Sequence, residues 1–184
     1  RQPFWDSLCA GRSGVRALDC FAGSELPTPL GAEVRDFDPQ RLVRPRKALK
    51  MMSRDIQLAF AAADQACTEA QLQAHPVPPE RLGVIFGADM IPAELADIEG
   101  AYRGCIDQGR FDFSRWGVQA MADIFPLWML KYLPNMPACH IGIVHDARGP
   151  NNSLVLGEVS SLAALGEATT VIARGQADAM IVGG

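Results

Sequence analysis

Apolar and polar positions fall into blocks along this chain, and the period changes from block to block. From Arg46 to about Gln73, apolar residues recur at Leu49, Met52, Ile56, Ala59, Phe60 and Ala63, the spacing of one helical face. HPVPPE (75–80) breaks that pattern. RLGVIFGAD (81–89) then runs apolar without a break to Gly-Ala-Asp, which predicts a buried strand. Residues 92–108 and 114–133 predict two further helical stretches, the second interrupted at Pro126. PACHIGIVHD (137–146) reads as another strand, RGPN as a turn and SLVLG (153–157) as a third strand. A helix comes next over about 158–174, and DAMIVGG supplies the last strand. Residues 1–45 are irregular and rich in Pro, Gly and Asp, apart from PFWDSLCAG at the start, which reads as helical.

The helix after the third strand sets the fold class. Gly175 sits where a C-terminal cap belongs, and Arg174 in the last turn suits the negative end of the helix dipole. Between Val159 and Ala173 the one charged residue is Glu167, so the pattern predicts a helix buried on every side. Its small residues Ser160, Ser161, Ala163, Ala164, Gly166 and Ala168 would let sheets approach both faces. Strand, helix and strand joined by short connections predict a parallel α/β fold.

Composition narrows the function classes. The 184 residues are 48% hydrophobic and 21% charged, as in a globular domain with a sizeable core. A net charge of −4 gives no global signal for nucleic acid. No apolar run reaches the roughly 18 residues of a membrane span, and the N-terminus is not a signal peptide. Cys9, Cys20, Cys67, Cys105 and Cys139 are odd in number and scattered, which argues against a disulfide framework or a zinc site and for the cytoplasm. No cofactor motif is present. An apolar strand at the very end predicts a piece of a larger protein.

The chemistry concentrates where the third strand turns into the helix. A strand that ends in a glycine turn and opens a helix presents one side chain in a frame of backbone N–H groups, and nucleophiles are placed this way. Here that side chain is the carboxylate of Glu158.

Five segments resemble the β-ketoacyl synthases, the condensing enzymes of fatty acid and polyketide synthesis. They are RKALKMMSRDIQLAFAAADQA (46–66), PPERLGVIFGAD (78–89), YLPNMPACHI (132–141), ARGPNNS (147–153) and LAALGEATTVIARGQADAMIVGG (162–184). The resemblance implies a thiolase-like fold of layered helices and a mostly parallel sheet around a central buried helix. Residues 1–184 match the family's N-terminal domain, without its first strand or its C-terminal half. Counted from Arg148–Pro150, the family's nucleophilic cysteine falls on Glu158, and the glycine-rich turn after the GVIFG strand reads GADMIP.

The resemblance implies acyl or malonyl thioesters on an acyl carrier protein or coenzyme A as ligands. A glutamate in the cysteine's seat predicts loss of ordinary condensation, since a carboxylate attacking a thioester gives an anhydride that water cleaves. Two alternatives stay open: a malonyl decarboxylase, or a partner subunit of the chain-length-factor type. The bland reading is that Glu158 caps the helix or pairs with a cation. Phe125, Trp128 and Met129 become candidate acyl-chain contacts, and Ser153, Leu154, Val155 and Leu156 a candidate interface in a homodimer or a heterodimer with a ketosynthase. Arg44, Arg46, Lys47 and Lys50, with Arg41, read as a solvated face or as a carrier-protein docking patch.

Three further groups have ordinary readings. Ser160 and Ser161 belong to the first turn of a helix, outside any Gly-x-Ser-x-Gly elbow. Cys139 reads as a small core residue on a strand. His140 and His145, five apart on that same strand, would face opposite ways and make no metal pair.

Overall fold

The computed structural model describes residues 2–19, 22, 25 and 27–184, so Cys20 lies outside the described residues. Two units succeed one another along the chain, Arg1–Asp38 and Pro39–Gly184. The first holds helix α1 (Gln2–Cys9) and a two-residue antiparallel pair, β1 (Arg16–Ala17) with β2 (Leu30–Gly31).

The second unit opens with α2 (Pro39–Leu42) and a 3-10 turn at Arg46–Met51. The single helix expected from Arg46 is therefore broken. Ser53 interrupts it, accepting the Ile56 N–H at 3.4 Å as N-cap of α3 (Arg54–Glu69). Beyond the break, Ile56, Phe60, Ala63 and Cys67 form the buried face that the periodicity indicates.

Strand β3 (Leu82–Ala88) is the centre of the unit, with six consecutive buried residues. It pairs in parallel with β6 (Asn151–Val155) on one side and β7 (Ala179–Gly183) on the other. Alternation along β3 feeds two cores. Leu82, Val84 and Phe86 pack with α3 and with α6 (Met136–Val144), while Ile85 packs with Ala164, Ala168 and Val171 of α7 (Ser160–Ala173). The layering is helix, parallel sheet, helix. Between β3 and α6 the chain makes α4 (Leu95–Gly104), a small hairpin of β4 (Ile106–Asp107) and β5 (Arg110–Phe111), and α5 (Trp116–Asp123). A 3-10 turn at Trp128–Tyr132 leads on to α6. Gln108 and Gly109 both take positive φ, the geometry of the tightest hairpin turns.

The strand expected at 137–146, ahead of the RGPN turn, is overturned. Residues 136–144 form a helix, not a strand. Pro137 at the start of α6 suits a helix N-terminus, and an apolar run of this length does not reveal its period. His140 and His145 consequently lie about 140° apart around a helical axis rather than on opposite faces of a strand. Within this chain α7 is covered on one side. The sheet covers the side carrying Ser160, Ala164, Ala168 and Val171, but Leu162, Leu165 and Ile172 are exposed.

Candidate functional site

The turn between β6 and α7 is built by one serine. Ser160 is buried, and its hydroxyl donates towards the carbonyls of Gly157 at 2.6 Å and Ala88 at 3.0 Å while accepting the Leu156 N–H at 2.9 Å. It thus ties the turn, the helix start and the end of β3 together, in keeping with a structural role. Gly157 adopts φ +61°, a conformation costly to residues with a Cβ. Gly87 permits the close approach: a Cβ there would stand 2.4 Å from the Ser160 carbonyl carbon.

Glu158 lies in the 3-10 turn Gly157–Val159 directly ahead of α7. Its side chain is exposed; the described residues wall it in no more than they cover the outer face of the helix. Across the turn stands Asp89, with Oδ2 4.0 Å from where a Gly157 Cβ would be. Two carboxylates therefore flank the strand ends, where the sequence alone singles out one. The altered GADMIP turn is the signal for the second.

An apolar cavity of ≈ 1130 Å³ runs between α3, the end of β3 and β7. Ala59, Ala63, Phe86, Ile91 and Leu165 are among its walls, and Asp55, Cys67 and Asp89 supply its charged and thiol side chains. Burial pushes the Cys67 thiol up, and nearby Asp64 adds to the shift, so this cysteine is held as a neutral thiol. Glu158 does not line this cavity, and neither do Phe125, Trp128 or Met129.

Those three residues lie on or beside the 3-10 turn Trp128–Tyr132, with Phe125 and Met129 exposed and Trp128 half-buried. The turn is anchored by a cluster with no counterpart in the sequence pattern. Asp97 of α4 accepts two hydrogen bonds from Lys131 Nζ, at 2.9 and 2.8 Å, and one from the Tyr132 hydroxyl. Lys131 above all, then Tyr132, holds the Asp97 carboxyl below the usual range. Burial first, then the bond to Asp97, pushes Tyr132 up to about 12. Lys131 lies 34 positions from Asp97, a separation with no periodic signal for such a contact.

The remaining candidates are dispersed. Ser153, Leu154 and Val155 belong to β6, an edge strand of the sheet, and Leu156 comes directly after it; Val155 and Leu156 are exposed. Arg44, Arg46, Lys47 and Lys50 are all exposed. Arg44 pairs with Asp64 at 2.6 Å, and Arg46 donates to the Gln40 carbonyl at 3.0 Å. Cys139 sits on α6, half-buried, and receives a long contact from the Asn135 amide at 3.6 Å rather than lying in a strand. His140 faces the Met51 backbone and His145 faces Asp64, so the two rings serve different neighbours. Among the described residues no three His, Cys, Asp or Glu side chains gather as for a metal, and no helix is long and apolar enough to cross a membrane.

Comparison with known proteins places this arrangement. The 3-oxoacyl-[acyl-carrier-protein] synthase 2 of Coxiella burnetii is 33% identical over 180 residues, covering 98% of this chain and 40% of that protein. The protein of the same name from Synechocystis is 27% identical over 183 residues, covering 100% of this chain and 41% of its own length. Among solved structures, the ishigamide ketosynthase/chain length factor superposes with a TM-score of 0.67 at 26% identity, over 95% of this chain and 45% of that one. The chain thus spans about two-fifths of the length of these curated relatives. Its fold is the thiolase-like one, in the part that forms the N-terminal half. Residues 1–184 match the family described as β-ketoacyl synthase, N-terminal domain, and the chain belongs to that family.

Proposed function

We propose that this protein handles acyl thioesters in fatty acid or polyketide synthesis, presented on an acyl carrier protein or coenzyme A, without an acyl-enzyme step at Glu158. The observation that carries this reading is the turn itself. Gly87, Gly157 and Ser160 build a strand-to-helix corner that carries Glu158, and the resemblance puts the family's nucleophile at that same position. A thiolate forms a thioester of much the same energy as the one it attacks. A carboxylate would form an anhydride, which is higher in energy and open to water. Condensation by way of a stored acyl group is therefore lost.

Intact-mass measurement after incubation with acyl-coenzyme A and acyl-carrier thioesters tests this directly. No stable adduct is expected at Glu158, and a peptide carrying an acyl group on that residue overturns the proposal.

A second reading has its own support. The solved structure of a ketosynthase/chain length factor is similar to this chain, and β6 offers an edge strand with Val155 and Leu156 exposed beside it. In that reading Ser153–Leu156 pair with a second subunit, a cysteine-bearing ketosynthase or another copy of this chain, and this chain shapes the shared pocket. Malonyl-carrier decarboxylation separates the readings. Release of carbon dioxide by this protein alone, abolished in Glu158→Ala, makes it a decarboxylase. Silence alone with altered products beside an active ketosynthase makes it the partner.

A further inference from the structure

Two basic side chains from different segments converge on one oxygen of Asp64, on α3. Its Oδ1 accepts from Arg44 Nη2 at 2.6 Å and stands 3.6 Å from Nε2 of His145, the residue that ends α6. That imidazole nitrogen is buried, finds no hydrogen-bond partner among the described residues, and is too far from Asp64 for a bond. Exposure sets the three groups apart. The Asp64 and His145 side chains are 23% and 12% exposed, whereas that of Arg44 is 59% exposed.

One carboxylate balances one of these cations, not both. A neutral imidazole leaves it to Arg44. A protonated imidazole carries N–H on both nitrogens, so Nε2 becomes a charged donor facing Asp64. Arg44 then meets a like charge across the shared oxygen, and of the two cations it is the one that can withdraw into water. The ring has room to close the gap, because Asp64, Cys67 and His145 line a cavity of ≈ 490 Å³. The other ionisable groups at hand are spoken for. Cys67 is held as a neutral thiol, and Asp146 beside His145 is engaged by Arg148 at 2.8 and 3.1 Å, with Glu80 3.8 Å from the same guanidinium. Burial holds the His145 imidazole below its ordinary value, while Asp64 raises it and Arg44 lowers it.

We infer that Arg44, Asp64 and His145 form an acid-released clasp: when His145 takes up a proton it claims Asp64, Arg44 lets go, and residues 44–47 come free of α3. Val43 and Ala48 are buried on either side, so the release is confined to the stretch between them. Arg46 and Lys47 ride on that stretch, and acid thereby changes where this exposed positive charge stands. The clasp is closed above the folded-state value of His145 and opens below it, on the acid side of about 6.5.

The experiment follows the full chain by NMR of the histidine rings and by hydrogen exchange at the Ala48 N–H, which bonds the Pro45 carbonyl at 2.9 Å. Both are read from about pH 8 to about pH 5, with exchange corrected for its intrinsic pH dependence. Exchange at Ala48 should quicken roughly two- to fivefold, the scale of one part-exposed ion pair, in a step that follows His145 and not His140. Arg44→Gln should raise the His145 midpoint and Asp64→Asn should lower it. His145→Gln and Asp64→Asn should each abolish the step at Ala48. A merely structural role for these residues would alter exchange at every pH alike, with no step at the His145 midpoint, and that result overturns the proposal. So does a step that follows His140, or one that survives in His145→Gln or, should that variant fail to fold, in Asp64→Asn. A His145 midpoint that Arg44→Gln leaves unmoved overturns it too. The clasp and the acyl-thioester reading fail separately, because none of these measurements involves a thioester.

Discussion

Ser160 and Gly87 act as one joint, and the two can be told apart by how they fail. The hydroxyl of the buried Ser160 serves two carbonyls and one N–H in part-buried bonds. Ser160→Ala removes these bonds and should cost about 0.5–1.5 kcal/mol, because water can reach the exposed Leu156 and Gly157. In Gly87→Ala the new methyl would meet the α7 backbone at 2.4 Å, so the helix start must move away from the strand. Overpacking of this kind costs about 1–3 kcal/mol, and here it displaces backbone rather than a flexible side chain. Urea unfolding should show both losses, and a neutral Gly87→Ala would refute the close packing. Glu158→Gln, by contrast, alters an exposed side chain and should leave the midpoint nearly unchanged. At this scale the sequence was partly legible. A glycine beside an acid at a strand end marked the corner, but the serine's three-way bond joins residues 72 positions apart and has no local signature.

At the scale of elements, α6 marks the point where an apolar pattern stops distinguishing helix from strand. Its residues are apolar nearly all round, with Ile and Val prominent, and such a run reads equally as a buried strand. The helix carries His140 and ends at His145, and burial lowers both imidazoles below their ordinary value. Against this, the Met51 backbone raises His140 and Asp64 raises His145, while Arg44 lowers His145 further. A histidine whose folded-state pKa is depressed binds its proton more readily once unfolded. Stability is therefore full above the unfolded value of about 6.5 and declines as pH falls through it. Thermal unfolding between pH 8 and pH 5 (roughly one unit or more either side of that value) should show a falling midpoint, and His140→Gln should flatten the fall. The carboxylate of Asp97 enters only at lower pH. It is held below the usual range, so its contribution is present above the unfolded value of about 3.9 and is lost below it. A flat midpoint across the histidine range would contradict the burial of His140. Helix α7 shows the same limit of pattern alone: the sheet covers Ser160, Ala164, Ala168 and Val171, while the equally apolar Leu162 and Leu165 are exposed in this part of the fold. Small and apolar positions state what a helix tolerates, and neighbours decide which of them are covered.

For the molecule as a whole, charge is the property through which the proposed carrier docking can be tested. The chain is acidic overall at −4, yet Arg44, Arg46, Lys47 and Lys50 gather within seven residues of the second unit. The structure divides their duties. Arg44 is engaged by Asp64 and Arg46 by a carbonyl of its own turn, whereas Lys47 and Lys50 extend from the 3-10 turn Arg46–Met51 into solvent. An acidic carrier protein docking on this patch, as proposed from the family resemblance, would be steered chiefly by the two lysines. Its dissociation constant should rise with salt, since exposed charges are screened within about 10 Å at 0.1 M ionic strength. Lys47→Glu and Lys50→Glu should each weaken binding by roughly two- to fivefold, the scale of one exposed ion pair, and should flatten the salt dependence. Arg44→Gln is the informative control. It frees Asp64 beside His145, so it should disturb stability more than docking. Carrier binding that ignores salt and both lysine reversals would remove the patch from the interface, leaving Lys47 and Lys50 as a solvated edge of the fold.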